Sequence, residues 1–225
     1  MNDEYDDKKR KSPREIIENS LLLVEGKDEC NFFKSLLKTM KINGIEIKDV
    51  GGRKQFANKI PSIKKIKGFS KVTKLGFIRD AEDNYAKSAF DSVCNNLNEN
   101  GIIPPKNIGK VENIGKYKIG IFIMPNNKDK GMLETLCLQS IKNEHCYKEM
   151  EIYIECLKEF YKNNEKEFCE SSEKKFNIDK ARSQVYLASK IPIQNSLGLG
   201  ALKGQWDFES YAFYEIKTFL NNLFG

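Results

Sequence analysis

Four short apolar runs, Ser20 to Glu25, Ile45 to Val50, Val72 to Arg79 and Lys118 to Met124, divide the first part of the chain, each ending at glycine, proline or charge. Runs of this length bounded by turn residues predict strands. Between them the apolar positions change to helical spacing. Phe32, Phe33, Leu36, Leu37 and Met40 predict a helix over about Asp28 to Met40, and Phe56, Ile60 and Ile63 predict a basic helix over about Lys54 to Lys65, with Pro61 placed to shorten or kink it. Ala89, Phe90, Val93, Cys94 and Leu97 predict a third helix from Asn84 to about Asn98, and Met132, Leu133, Leu136 and Cys137 a fourth that opens near Lys130. The stretch Asn100 to Lys116, rich in glycine, proline and asparagine, reads as a loop. Strands alternating with helices predict an α/β fold in which these four strands form a mostly parallel sheet flanked by helices.

Past about Cys146 the pattern is helical only: Lys148 to Lys162, Asp179 to Ser189 and an aromatic closing helix Asp207 to Leu223, with a charged patch at Asn163 to Lys175. Pro192 to Gly204, with Gly198, Gly200 and Gly204, reads as a flexible loop. The expected organisation is a mobile charged arm over residues 1–17, a catalytic α/β domain over 18–145 and a helical extension over 146–225 packed on it.

Composition narrows the function classes. The chain has 225 residues, 40% apolar and 31% charged, with a net charge of +6, which gives a modest affinity for polyanions. No apolar run approaches the ~18 residues of a membrane span, and the N-terminus carries charges of both signs with no apolar stretch, so a cytoplasmic protein is expected. The six cysteines include no Cys-x-x-Cys pair and the single histidine, His145, has no partner at metal-ligand spacing. Free thiols are expected, and a zinc site is not.

The carboxylates carry the chemistry. Glu25 closes the first strand and Asp80, Glu82 and Asp83 close the third. In an open parallel sheet, ligands bind at the carboxyl ends of strands, and a hard cation such as Mg²⁺ prefers oxygen ligands on a rigid frame. In an extended segment Asp80 and Glu82 share a face and can hold a cation jointly, which leaves Asp83 to cap the helix after it. The competing reading makes each group a solvated turn, with Asp28 placed for the helix dipole.

Val24-Glu25-Gly26-Lys27-Asp28, followed by a hydrophobic strand and Asp80-Ala81-Glu82, resembles the Toprim domain found in topoisomerases, primases, recombination-mediator proteins and OLD-type nucleases. The likeness spans about residues 18 to 145 and is greatest to the stand-alone OLD-like branch, through Gly51-Gly52 and Gly131-Met132-Leu133-Glu134. It implies Glu25 as acid or base and the Asp-x-Asp carboxylates as Mg²⁺ or Mn²⁺ ligands. Here the second aspartate is Glu82, with Asp83 beside it, and either could be the ligand. Glu134 matches the extra acid of OLD-like nucleases, where a second metal is proposed. Glu25, Asp28, Asp80, Glu82 and Glu134 are enough carboxylates for two cations about 3.5 to 4 Å apart, which clamp the entering and leaving oxygens. OLD-like nucleases also place a lysine near the scissile phosphate. Lys180 is the candidate, with Lys190 and Lys203 as weaker ones.

These residues lead to an expected metal-dependent nuclease acting on DNA, with RNA as the alternative substrate. The resemblance suggests a context in phage defence or DNA repair. No Gly-x-x-x-x-Gly-Lys-Ser/Thr is present, so ATP-driven control is expected from a separate ATPase partner, and the helical extension leaves room for a homo-oligomer. The rival is a non-catalytic nucleic-acid-binding or partner-docking Toprim module with a vestigial acidic site. A third reading is phosphate transfer on a small nucleotide.

Overall fold

The structure, a computed structural model, describes residues 15–52, 55–163 and 177–225. Its centre is strand β1 (Ser20–Val24), buried along its whole length, which pairs in parallel with β2 (Ile45–Asp49) on one side and β3 (Lys74–Asp80) on the other. A strand covered on both faces reads as a continuous apolar run, which is why Leu-Leu-Leu-Val needs no alternation. Leu22 and Val24 face one core with Phe32, Phe33 and Leu36 of helix α1 (Lys27–Thr39), while Leu21 and Leu23 face a second core with Val93 and Leu97 of α3 (Ala86–Glu99). The second face also receives Ile60 and Ile63 of α2 (Phe56–Lys64), which contains Pro61 without breaking. Each fully buried leucine or phenylalanine contributes about 1.5 to 3 kcal/mol.

The sheet has five strands in the order β2-β1-β3-β5-β4. Strand β4 (Val111–Ile114) lies within the segment expected to be a loop and pairs antiparallel with β5 (Tyr117–Met124) at the sheet edge, so the expected count of four is corrected. Val-Glu-Asn-Ile is too short and mixed to register as a strand. The hairpin forms because Gly115, at φ +58°, turns the chain so that Ile114 meets Tyr117. The other pairings, β1 with β3 and β3 with β5, are parallel.

Beyond α4 (Leu133–Ser140) come α5 (Tyr147–Asn163), α6 (Ile178–Ala188), α7 (Leu197–Leu202) and α8 (Tyr214–Phe224), the last entered through a 3₁₀ turn at Tyr211–Phe213. The closing helix therefore begins later than Asp207, although Phe208 still packs edge-to-face on Phe32 at 5.3 Å between ring centres. Leu187, Leu197, Trp206, Phe213 and Phe219 lie in the same core as Leu22 and Phe32. The extension and the sheet thus share one hydrophobic interior.

The segment expected to be a flexible loop instead contains α7, held against α1. Its glycines serve close packing: a Cβ on Gly198 would stand 2.2 Å from the Asp28 carbonyl oxygen, and one on Gly200 2.5 Å from Leu187 Cδ2. Gly198→Ala is expected to lower stability by about 2 to 3 kcal/mol in chemical denaturation, because a backbone oxygen cannot move as a side chain can. An unchanged denaturation midpoint would show that α7 is not seated there.

Residues 1–14 of the expected arm, Cys169 and most of the charged patch lie outside the described residues. Ile16, within the stretch expected as an arm, is fully buried and donates its N–H to Lys67 O at 2.8 Å. Among the described residues the cysteines are free, and no helix is long and apolar enough to cross a membrane.

Candidate metal centre

Glu25 follows the last residue of β1, and Asp80 is the last residue of the neighbouring β3. The β1–β3 register pairs Leu23 with Phe77, and continuing it sets Glu25 beside Arg79. There Arg79 Nε stands 3.5 Å from Glu25 Oε1, and the Asp80 N–H donates to the same oxygen at 3.3 Å. Asp80 Oδ1 in turn accepts the N–H of Leu133, the first residue of α4, at 3.1 Å. An N–H at a helix start, with no partner inside the helix, is a natural donor to a carboxylate.

Glu82 joins them by a route other than strand alternation. Its φ is +60°, and it exchanges backbone hydrogen bonds with Gly131, N to O at 2.8 Å and O from N at 2.9 Å. Asp80 and Glu82 converge because the chain turns after β3, not because it stays extended. The result is one carboxylate oxygen from each of Glu25, Asp80 and Glu82 within 4.8 Å of one another.

Burial sets the electrostatics. It pushes the Glu25 carboxyl up to about 7, against the lowering effect of the Asp80 N–H and the Arg79 guanidinium. Asp80 is raised well above the usual carboxylate range, first by burial and then by the negative charges of Glu25, Glu134, Glu29 and Glu82. Glu29 and Glu134 are raised by burial as well, and Lys180 opposes that shift in both. Carboxylates crowded at low exposure repel one another, and a divalent cation would relieve the repulsion.

The remaining expected residues fall in distinct places. Glu134 lies in the first turn of α4, directly after the Leu133 that binds Asp80, and it acts electrostatically on Asp80. Lys180, exposed on the first turn of α6, is brought to Glu29 and Glu134 by packing of α6 on α4, where Thr135 Oγ1 donates to Asp179 Oδ2 at 2.5 Å. Asp28 has one oxygen committed to structure, since its Oδ1 accepts the Gly198 N–H of α7 at 2.9 Å. Asp83 is exposed and outside the three-carboxylate cluster. It does not cap α3, whose N-cap is Tyr85 with no side-chain bond, because the turn through Glu82 delays the helix to Ala86. Lys190 is engaged with Glu144 at 2.8 Å and lies over the Tyr186 ring, and Lys203 is exposed at the end of α7.

Sequence reasoning did not single out Glu29 or Arg79. Glu29 could have been found from its place four residues after Glu25, in the first turn of α1, where a helix sets it back toward the strand end. Arg79 gave no signal, since a charged residue inside a strand usually faces solvent, whereas here it is buried beside Glu25.

The family model described as "Protein of unknown function (DUF3226)" matches residues 19–225. The chain belongs to the DUF3226 family. That match takes in the sheet, the carboxylates and the helical layer of this DUF3226 chain together. Comparison with curated proteins gives no significant match. Among solved structures, the C-terminal region of the Burkholderia pseudomallei OLD protein aligns with a TM-score of 0.47 at 12% identity, covering 92% of this chain and 97% of that one. The C-terminal region of the Xanthomonas campestris pv. campestris OLD protein aligns with a TM-score of 0.44 at 14% identity, covering 92% and 95%. Likeness at this level does not assign an activity.

Proposed function

We propose that the protein is a Toprim-type, metal-dependent phosphodiester hydrolase acting on nucleic acid, with DNA the first substrate to test and RNA the second. The observation that carries the reading is the convergence of Glu25, Asp80 and Glu82, at the carboxyl ends of adjacent parallel strands, to within 4.8 Å. Three oxygen donors with no nitrogen or sulfur among them suit Mg²⁺ or Mn²⁺. When bound, such a cation supplies Lewis-acid polarisation of the phosphoryl group and a more acidic water.

The residues divide the remaining work. Asp80 and Glu82 would hold the cation, Asp80 being fixed by the Leu133 N–H and Glu82 by its pairing with Gly131. Glu25, at the end of the neighbouring strand and within 4.8 Å of the Asp80 and Glu82 oxygens, is the candidate to accept the proton of the attacking water. Lys180 stabilises charge on the phosphate from the side of Glu29 and Glu134, on which it acts electrostatically. Asp28 fastens α7 to α1 through Gly198.

Supercoiled plasmid and end-labelled single-stranded DNA and RNA, each incubated with Mn²⁺, Mg²⁺ or chelator, test this reading. Cleavage that needs the metal and is lost in Glu25→Ala supports it. Strand binding without cleavage under every metal condition would replace it with a binding module. Lys180→Ala is expected to lower kcat on the order of a hundredfold with unchanged thermal stability, because the side chain is exposed. An unchanged kcat would remove Lys180 from the site.

A further inference from the structure

A groove of about 670 Å³ lies beside the edge strand β4, between that strand, one side of α8 and the loop from β5 to α4. Its walls carry Lys110, Lys118 and Lys128, against the single carboxylate of Glu215. None of the three lysines has an ion-pair partner among the described residues. Tyr214 also lines the groove, and its ring stacks on that of Tyr211 at 5.4 Å between centres and 10° between planes. Both rings are exposed, Tyr211 at 84% and Tyr214 at 57%.

These features fit one class of ligand. Unpaired lysine amines are point cations suited to phosphates, and an exposed aromatic face is a platform for a base. A second β-strand is a poor occupant, because β4 is only four residues long and is flanked by Lys110 and Lys116. Glu112, the acid of that edge, is already taken by the N–H groups of Lys106 and Asn107 at 2.9 and 3.2 Å. One wall of the groove comes from the carboxylate end of the sheet. Its wall residues Asn126 to Lys128 belong to the loop whose Gly131 pairs with Glu82. Lys118, near the other end of β5, lies roughly 20 Å from that loop at ~3.3 Å per strand residue.

We propose that this groove is a binding track for single-stranded polynucleotide, with Lys110, Lys118 and Lys128 on its phosphates and the Tyr211–Tyr214 pair stacked on a base. The inference rests on the phosphodiester reading of the carboxylate site and deepens it by naming the strandedness of the substrate. The track is a feature of the sheet edge and of α8, separate from the metal ligands. Binding on it therefore needs no cation.

The test is fluorescence anisotropy with a labelled single-stranded oligodeoxynucleotide in chelator across a salt series, beside hydrolysis of bis(p-nitrophenyl) phosphate with Mn²⁺, a diester too small to reach the groove. Replacing all three lysines with alanine is expected to lower the slope of log affinity against log salt by about 2, at ~0.7 per phosphate contact. A variant at exposed Lys110 and Lys128 alone should show about two thirds of that drop, which covers the case in which the triple variant folds poorly. Tyr211→Ala with Tyr214→Ala should weaken binding on the order of tenfold at fixed salt and leave the slope unchanged. All of these variants should hydrolyse the small diester as wild type does. Wild-type strand affinity in the variants, no binding by wild type in chelator, or tighter binding of duplex of equal length would overturn the track. The carboxylate reading fails on a different result, absence of Mn²⁺-dependent hydrolysis of the small diester by wild type.

Discussion

Asp80→Ala protein is expected to lose metal-dependent phosphodiester cleavage by a factor on the order of a thousand or more, with residual activity near the uncatalysed background. The size follows from position. Asp80 is the residue on which β3, the Glu25 carboxylate and the first N–H of α4 converge. Its loss removes a carboxylate of the proposed metal site and also leaves the Leu133 donor without a partner. Asp80→Asn separates the two effects, because it keeps an oxygen for Leu133 while removing the charge. If cleavage falls as far in Asp80→Asn as in Asp80→Ala while thermal stability holds, charge toward the cation is what Asp80 supplies. Retained cleavage in both variants would mean that the reaction takes place elsewhere.

Glu25→Gln is expected to raise the stability of the metal-free protein at pH 8 by about 3 kcal/mol and to leave it unchanged at pH 4. The folded carboxyl titrates near 7 against 4.5 without burial, so between those values the native state holds the proton that the unfolded chain has released. Wild-type stability therefore falls as pH rises from about 4.5 to about 7, and a neutral glutamine does not share the loss. Asp80, Glu29 and Glu134 are raised too and steepen the same decline. Mn²⁺ at a hundred times its dissociation constant should restore about 2.7 kcal/mol to wild type at pH 8. At pH 5 it should restore little, since protonated carboxyls bind no cation. Chemical denaturation at pH 4, 5 and 8, with chelator or Mn²⁺, reads these changes, and equal stability of wild type and variant at pH 8 would show that Glu25 is solvated.

Much of this protein could be read from residue order. The Leu-Leu-Leu-Val run, the helical spacing of Phe32 to Leu37 and the acids at the strand ends follow from periods of 2 and 3.6, which are local properties of the backbone. They sufficed for a parallel α/β sheet with Glu25 and Asp80 on its carboxyl edge. Local pattern failed where a residue's state depends on something distant in the chain. Val111–Ile114 becomes a strand only because β5 offers an open edge, and Gly198 sits in a helix because α1 leaves room for no Cβ there.

The site divides in the same way. Sequence alone determined which carboxylates stand at strand ends, since a strand must end where its apolar run ends. Tertiary structure decided which of them meet: the pairing with Gly131 turns Glu82 inward and leaves Asp83 in solvent, α6 carries Lys180 across to Glu29 and Glu134, and Gly198 takes up an oxygen of Asp28. Those outcomes rest on hydrogen bonds and packing between segments far apart in the chain, and on the loss of water that shifts Glu25 and Asp80. Neither has a counterpart in local spacing.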